Sequence, residues 1–206
     1  MNSVTPNDTR YIPFTQQKCD CVPTSISMIM YRNNIPLIPT EELGYYLGLT
    51  IPPKDEKLYY KPRVSETPPS DSGIYGTQIQ NPNYDLNKVF TELGIPLKFD
   101  PVLASKMKSE QDLFDILSYV EKNDTDAIIC FNYSVAHELP YRDGGHAVVF
   151  DKIIDGKIRI VDPWYENPKW QLLEPELLYK AIRKHGDKHF GGIWQFRRQK
   201  NDPSKS

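Results

Sequence analysis

The sequence predicts an α+β fold with an antiparallel sheet, and two observations support this class. Apolar residues recur at helical spacing in the first part of the 206-residue chain, whereas runs rich in β-branched residues cluster in its last part. Two of these late runs, HAVVFDKI and KIRIVDP, flank the pair Asp155-Gly156. Because such a pair favours a hairpin turn, the two strands are predicted to be antiparallel.

The other elements are assigned from their periodicity and from the residues that end them. The first helix runs from Asp20 to about Arg32 and places four apolar side chains on one face: Val22, Ile26, Ile29 and Met30. Further helices are predicted for EELGYYLGL after Thr40, for 85–93 before Gly94, for 111–122 and for EPELLYKAIRKH. Outside the hairpin, strands are predicted for AIICFNY and GIWQF.

Charge and hydropathy exclude several classes of partner. The formal net charge is -2 and no basic stripe is present, so we expect no nucleic-acid partner. No apolar run reaches the ~20 residues of a membrane span, and the start, MNSVTPNDTRYIPF, lacks the basic and apolar parts of a Sec signal peptide. Three cysteines form no disulfide framework. We therefore expect a cytoplasmic location, or export by a route independent of a signal peptide.

A single domain is expected over residues 1–197, because the length and composition suit one hydrophobic core. Within it, residues 51–82 carry six of the 18 prolines and the stretch SETPPSDSG. A segment of this length without a helix or strand pattern is either a lid over a functional cleft or a surface insertion. The polar residues 198–206 are expected to form a flexible tail.

The stretch QQKCDCVPTSISMIM places a cysteine at the start of the first helix. Asp20 suits the N-cap and Pro23 suits the first turn, so Cys21 takes the first helical position. The partial positive charge of a helix N-terminus stabilises a thiolate there. Cys21 is therefore a candidate nucleophile, and the alternative is a buried, inert thiol.

A cysteine nucleophile needs a base, and the base needs a group that orients it. Of the four histidines, His146 opens a predicted strand and Asp162 ends the strand paired with it. An aspartate that accepts from one imidazole nitrogen leaves the other nitrogen for the thiol. His137 is a less favourable base because no aspartate is placed in the same way beside it.

The length of the hairpin turn decides whether these two side chains share a face. A two-residue turn, Asp155-Gly156, puts His146 and Asp162 on opposite faces. A three-residue turn, 154–156, puts them on one face and diagonal to each other, at about 7 Å between backbones. The three-residue turn also separates apolar from charged residues better, so we predict it, with Val148 opposite Asp162.

These segments resemble those of the papain-like cysteine peptidases, in particular the C39-like branch that processes bacteriocin leaders at a double glycine. In that branch an Asp-Cys pair precedes a helix with a Met seven residues after the Cys, as in Asp20, Cys21 and Met28. Its later motif is a His that opens a strand and an Asp-Pro that ends the next. GGHAVVFDKIIDGKIRIVDPW matches this motif through His146 and Asp162.

The resemblance implies a papain-like fold in which an N-terminal helical part, with Cys21 at a helix N-terminus, packs on an antiparallel sheet that carries His146 and Asp162. It implies a cysteine peptidase or amidase that forms a thioester with a peptide, a protein or an amide-bearing small molecule, without a metal or other cofactor. Family members also place a glutamine before the cysteine as an oxyanion donor. Gln16 is favoured for this role, with Gln17 as the alternative.

Two other function classes remain open. Papain-like folds also include acyltransferases, transglutaminases, deamidases and γ-glutamyl transpeptidases of the phytochelatin synthase type, and VDPWYENPKW loosely resembles the last. The second class is a non-catalytic binding module on a peptidase fold, although the presence of all three triad residue types argues against it. The sequence makes no prediction about the oligomeric state.

The remaining cysteines and histidines receive structural interpretations. Cys19 and Cys21 with a histidine pair would form a metal site, but the spacing lacks the second half of a zinc pattern. His185 and His189 are interpreted as a solvated helix end, and Cys130 as a core residue. Cys19 is interpreted as a bystander or as the partner of another thiol.

Overall fold

The structure is a computed structural model that describes residues 6–60, 62–69, 73–139, 144–167 and 169–199. Its strands are β1 Thr50–Ile51, β2 Arg63–Val64, β3 Leu97–Leu103, β4 Asp126–Asn132, β5 Gly145–Ile154, β6 Lys157–Val161, β7 Trp170–Leu173 and β8 Gly192–Arg198. Six of these form an antiparallel sheet in the order β3-β8-β4-β5-β6-β7, and β1 and β2 form a separate parallel pair.

The helices lie close to their predicted positions, except that the short α5 was not predicted and begins at Tyr133, the last residue of the predicted strand AIICFNY. They are α1 Cys21–Arg32, α2 Thr40–Tyr46, α3 Leu86–Glu92, α4 Glu110–Lys122, α5 Tyr133–Ala136 and α6 Pro175–His185. The side chains of Asp85 and Ser109 cap α3 and α4 by accepting from backbone N–H groups of the first turn. The mixture of helices with an antiparallel sheet confirms the predicted α+β class.

Helices cover both faces of the sheet, so the central strands are buried on both sides. One core joins α1, α2 and α3 to residues such as Ile128, Val149 and Trp194. The other joins α4 and α6 to the opposite side chains of the same strands, such as Ile129 and Val148. The strand β4, in the middle of the sheet, is buried along its whole length. It therefore appears in the sequence as a continuous apolar run rather than an alternating one.

The hairpin of β5 and β6 corrects the predicted turn length. Ile154 pairs with Lys157, so the turn has two residues, Asp155 and Gly156, both at positive φ. The predicted three-residue turn is therefore wrong. The extra residue lies instead in a β-bulge between Phe150 and Lys152, beyond which the register shifts by one.

The bulge restores the register that was predicted for the far end of the hairpin. Val149 pairs with Val161, and continuation of this register sets Val148 opposite Asp162. Asp151, the bulged residue, is buried and accepts from Arg159 Nε at 2.7 Å and from the backbone N–H of Arg10 at 2.9 Å. The bulge thus brings a buried ion pair into the sheet and sets His146 and Asp162 on one face.

Two edge strands were not predicted. β3 and β7 lie at the two edges of the sheet, and Pro101 interrupts the pattern of β3. Proline is tolerated at an edge because it has no N–H to donate to a ladder. β7 has only four residues and follows an irregular segment, so its pattern is too short to indicate a strand.

The proline-rich segment contains β1, β2 and two short 3-10 helices, Pro53–Leu58 and Pro82–Tyr84. Its residues 61 and 70–72 lie outside the described part of the chain. The predicted tail falls mostly outside it as well, since β8 ends at Arg198 and the description ends at residue 199. Among the described residues, no helix has the length and apolar character needed to cross a bilayer.

Candidate active site

Cys21 and His146 line the same cleft, whose volume is about 670 Å³. The N-terminal end of α1 contributes Cys21 and Val22, and the end of β4 and the start of β5 contribute Cys130 and His146. Gln16 and Trp164 also line this cleft. The two ends of the sequence that carried the resemblance are thus brought together across one cavity.

Cys21 is the first residue of α1 and is partly exposed to solvent. Asp20 occupies the N-cap position, but its side chain makes no capping hydrogen bond, so that part of the prediction is wrong. The Asp20 carboxylate is instead buried, and its Oδ2 accepts from the Thr24 hydroxyl at 3.4 Å. Among the described residues its Oδ1 has no hydrogen-bond partner, although Thr40 is near enough to act on the pKa of the carboxyl. Burial raises the pKa of Asp20 to about 7.

His146 lies near the start of β5 with its ring buried between aromatic neighbours. The Phe131 and Tyr133 rings pack on it in T-shaped arrangements, with centroid distances of 6.0 and 5.4 Å. His146 Nε2 lies 2.7 Å from Asp162 Oδ1. The side chain of Cys21 is near enough to His146 to help raise the imidazole pKa, and Nδ1 is the ring nitrogen left for a contact with the thiol.

The charges of His146 and Asp162 support each other. Burial alone would lower the pKa of His146, but the Asp162 carboxylate and the hydrogen bonds to Asp162 and Cys21 outweigh it and raise that pKa to about 10. Burial would raise the pKa of Asp162, but the charge and hydrogen bond of His146, with other donors, lower it to about 2. The pair is therefore stable as imidazolium and carboxylate at neutral pH.

Asp162 is fully buried and accepts four hydrogen bonds. Oδ1 receives His146 Nε2 and the backbone N–H of Trp164, at 2.7 and 2.8 Å. Oδ2 receives Asn167 Nδ2 and Gln171 Nε2, at 2.7 and 2.9 Å. Sequence analysis missed Asn167 and Gln171, because the irregular stretch ENPKWQ has no periodicity or motif that marks an amide as a partner of Asp162.

The two candidate oxyanion donors differ clearly in position. Gln16 is buried and lines the cleft, whereas Gln17 is exposed and is not among the described residues that line it. Gln16 Nε2 donates one hydrogen to the carbonyl of Gln17 at 3.0 Å, which leaves its second hydrogen. The Cys21 N–H, at the first helical position, has no intrahelical acceptor. Both groups are therefore placed to donate to a substrate oxygen.

The other two cysteines also line the cleft. Cys130 is buried, as predicted for a core residue, but at the end of β4 it forms part of the cleft floor. Cys19 has a left-handed backbone, with φ of 61°. Burial, with a smaller effect of the neighbouring Cys21, raises the pKa of Cys19 to about 12 and keeps it a thiol. Of the two cysteines in CDC, Cys21 is therefore the one in contact with a base.

The remaining histidines are placed less favourably for catalysis. His185 is buried and lines the cleft with His189, at 5.3 Å between ring centroids, so the prediction of a solvated helix end is wrong. His137 packs on Tyr133 at 4.3 Å and is absent from the described residues that line the cleft. Within the described chain, no group of three or more His, Cys, Asp or Glu residues is arranged to hold a metal ion.

The proline-rich segment forms one wall of the cleft. Pro52, Lys54 and Asp55 line it, as do residues 73–77. An ion pair of 3.1 Å joins Asp55 to Lys18, which lies just before the cysteines. The Tyr59 hydroxyl donates to the carbonyl oxygen of Lys18 as well. The segment is therefore attached to the nucleophile loop by two polar contacts.

Comparisons with known proteins bear on this fold. No protein-family model and no curated protein matches the chain. A solved structure described as a C39-like peptidase from Bacillus anthracis is similar, with a TM-score of 0.56, 16% identity and coverage of 92% of this chain and 96% of that one. A double-glycine-motif protease from an AMS/PCAT transporter, in complex with the leader peptide, has a TM-score of 0.51, 15% identity and coverage of 95% and 97%. The likeness to these two solved structures confirms the predicted fold.

Proposed function

We propose that this protein is a cysteine peptidase or amidase in which Cys21 is the nucleophile, His146 the base and Asp162 the group that orients the base. One observation carries the proposal. His146 bonds Asp162 through Nε2 at 2.7 Å and shares an open cleft with Cys21, whose side chain is near enough to help raise the imidazole pKa. A thiol, an imidazole and a carboxylate in this order are the arrangement that activates a thiolate.

Before the substrate binds, the Cys21 proton resides on His146 Nδ1, because the raised pKa of His146 keeps the ring protonated at neutral pH. Asp162 holds Nε2–H at 2.7 Å and stabilises this imidazolium. The Cys21 thiolate attacks the carbonyl carbon of the scissile bond, and the electron pair moves to the carbonyl oxygen. The Cys21 N–H and the free hydrogen of Gln16 Nε2 donate to this oxyanion.

Collapse of the tetrahedral intermediate breaks the C–N bond. His146 gives its Nδ1 proton to the leaving amine, and the acyl group remains on Cys21 as a thioester. A water molecule, deprotonated by His146, then attacks the thioester. This step releases the carboxylic acid and restores the Cys21 thiolate beside a protonated His146.

We further propose that the substrate is a peptide segment cleaved after a pair of glycines. The support is the likeness in fold to a protease that is described by its double-glycine motif and that was solved with a leader peptide. An extended peptide also suits a cleft bounded by the proline-rich segment on one side and by β4 and β5 on the other. A compact amide-bearing molecule would contact fewer of these lining residues.

The test combines peptide cleavage with thiol labelling. Fluorogenic peptides with Gly-Gly, Gly-Ala or Ala-Ala before the cleaved bond are incubated with the wild type, Cys21→Ala and Cys19→Ala. We expect preferred cleavage of the Gly-Gly peptide, complete loss in Cys21→Ala and retention in Cys19→Ala. Labelling by iodoacetamide should follow the same order, because Cys21 is the thiol in contact with a base.

Three results would contradict the proposal. Loss of rapid labelling in Cys19→Ala with retention in Cys21→Ala would identify Cys19, rather than Cys21, as the nucleophile. Release of an amide conjugate in place of an acid when an amine is added would indicate acyl transfer instead of hydrolysis. Binding of the peptides by a wild type that neither cleaves them nor labels rapidly would indicate a binding module.

A further inference from the structure

Two amide side chains saturate the carboxylate of Asp162 on the side away from His146. An ionised carboxylate has about four lone-pair sites, and all four are used: two on Oδ1 and two on Oδ2. The two bonds on Oδ2 come from Asn167 and Gln171, which lie five and nine residues further along the chain. Hydrogen bonds to the charged form of a buried carboxyl favour that form.

The amide of Asn167 is held in the orientation that this role needs. Its Oδ1 accepts from the Tyr133 hydroxyl at 2.9 Å, so its Nδ2 is turned towards Asp162. The Tyr133 ring in turn packs on His146 in a T-shaped arrangement. A chain of contacts therefore runs from the imidazole through Tyr133 and Asn167 to the carboxylate that bonds the same imidazole.

The loop that carries Asn167 is closed on itself at the carboxylate. The backbone N–H of Asp162 donates to the carbonyl of Lys169 at 2.8 Å, and the Lys169 ammonium donates to the carbonyl of Pro163 at 3.0 Å. Gln171 follows this closure, on β7 at the edge of the sheet. Asn167 and Gln171 are absent from the described residues that line the cleft, so they reach the reaction only through Asp162.

We propose that Asn167 and Gln171 are positioning residues that keep Asp162 ionised and fixed in the plane of His146 Nε2–H. This inference rests on the proposed triad and adds two residues that hold its aspartate in place. Without them, the carboxylate would lose two of four donors in a site that water does not reach. It would then take up a proton more readily and rotate more freely about its Cβ–Cγ bond.

The titratable groups that face Asp162 are few. His146 bonds it directly, and the Lys169 ammonium and His137 act on it through space. Lys169 is bound to backbone carbonyls and His137 is packed on Tyr133, so neither replaces a lost amide donor. An effect of pH in variants of Asn167 or Gln171 is therefore assigned to Asp162 and His146.

The first arm of the experiment removes each donor. In Asn167→Ala and Gln171→Ala, we expect kcat/KM for the Gly-Gly peptide to fall by about ten- to a hundredfold, as for the loss of a hydrogen bond to a charge. The rate of iodoacetamide labelling of Cys21 is measured against pH in the same variants. Its acid limb should move upwards by about one pH unit, because Asp162 now takes a proton at higher pH.

The second arm changes the sign of the pH dependence. In Asn167→Asp, two carboxyls share one site, so one of them holds a proton at mildly acidic pH and donates it as the amide did. Activity should be near that of the wild type there. It should fall as the pH rises, because the second carboxyl then ionises beside Asp162. Asn167→Ala has no such group and cannot produce this falling limb.

Gln111→Ala serves as the matched control, since Gln111 is an exposed amide on α4 that bonds only to a neighbouring carboxylate. Thermal unfolding of every variant is followed in parallel. No change in the alanine variants, or an equal loss at every pH without the falling limb in Asn167→Asp, overturns the positioning role. Labelling needs no peptide substrate. A wild type that labels rapidly but cleaves nothing would therefore defeat the proposed function and still test this inference.

Discussion

The backbone N–H of Gln16 donates a hydrogen bond of 2.9 Å to the carbonyl oxygen of Pro163. Pro163 follows Asp162 directly, so this bond ties the candidate oxyanion donor to the residue beside the carboxylate of the triad. At the other end of the same N-terminal stretch, the Arg10 N–H donates to the Asp151 carboxylate at 2.9 Å. The stretch is thus fixed at one end to the β5–β6 hairpin, which carries His146, and at the other to the segment that follows β6.

The first prediction is that Gln16→Ala lowers kcat by about 10²- to 10³-fold with little change in KM. The backbone of Gln16 is fixed beside the triad, and its side-chain amide is proposed to donate to the oxyanion of the transition state rather than to the ground state. Steady-state cleavage of the Gly-Gly peptide measures both constants. Gln17→Ala is the control, since Gln17 is exposed, and it should stay within about twofold of the wild type. A larger loss in Gln17→Ala than in Gln16→Ala would reverse the assignment.

The contact between His146 and Asp162 predicts a second result, for Asp162→Asn. An asparagine keeps the shape of the side chain but cannot stabilise an imidazolium, so we expect kcat/KM to fall by about 10²- to 10⁴-fold. The pH dependence of labelling measures the charge of the pair. Since the pKa of His146 is raised to about 10 by Asp162, the alkaline limb should move to lower pH in this variant. An unchanged alkaline limb would contradict the geometry of the pair.

Much of this site follows from the sequence because its residues stand at the ends of regular elements. Cys21 begins a helix with a clear apolar face, and His146 and Asp162 flank a hairpin of strong β pattern. The hairpin spacing brings His146 and Asp162 within range of each other, whereas the approach of Cys21 is implied by the family resemblance. The predicted turn length was wrong, yet the register near His146 was right. A bulge at Asp151 adds the residue that the turn lacks, and residue counting does not locate such an insertion.

The roles of Asn167 and Gln171 could not be predicted from the sequence, for a different physical reason. Their partner, Asp162, is reached only because the segment between β6 and β7 closes through the bond from Asp162 to Lys169. No periodicity describes a closed irregular loop. The same holds for His185, whose burial against the cleft depends on the packing of α6 across β4 rather than on the charged residues around it in the sequence.

The buried carboxyl of Asp20 predicts a third result, a gain in stability for Asp20→Asn that depends on pH. Burial raises the pKa of Asp20 from 3.8 in the unfolded chain to about 7. The unfolded chain therefore loses its proton first, and the folded protein loses stability as the pH rises between these values. An asparagine removes this loss. We expect the variant to exceed the wild type by on the order of 2 kcal/mol at pH 8 and to be close to it at pH 4.

Urea unfolding at the two pH values measures this difference. Asp115→Asn, on the exposed side of α4, is the control and should show no comparable gain at pH 8. A variant of Asp20 that is less stable than the wild type at pH 8 would mean that the bond from Thr24 and the nearby Thr40 outweigh the cost of burying the charge.

The fourth prediction concerns Asp151, the residue in the bulge. We expect Asp151→Ala to lose about 3–5 kcal/mol of stability, because the buried guanidinium of Arg159 would lose the carboxylate that binds it at 2.7 Å. Asp8 bonds the same guanidinium at 2.9 Å from an exposed position, so Asp8→Asn is the control and should change stability only slightly.

The double variant Asp151→Ala/Arg159→Met removes both buried charges and should recover part of the loss, since an apolar pair carries no desolvation cost. Unfolding by urea gives the three free energies. Equal losses in the single and double variants would show that the bulge geometry, rather than an unpaired charge, is what Asp151 supplies. The hairpin would then depend on Asp151 for its hydrogen bonds with Arg10, whose N–H donates to the carboxylate and whose Nε donates to the carbonyl oxygen.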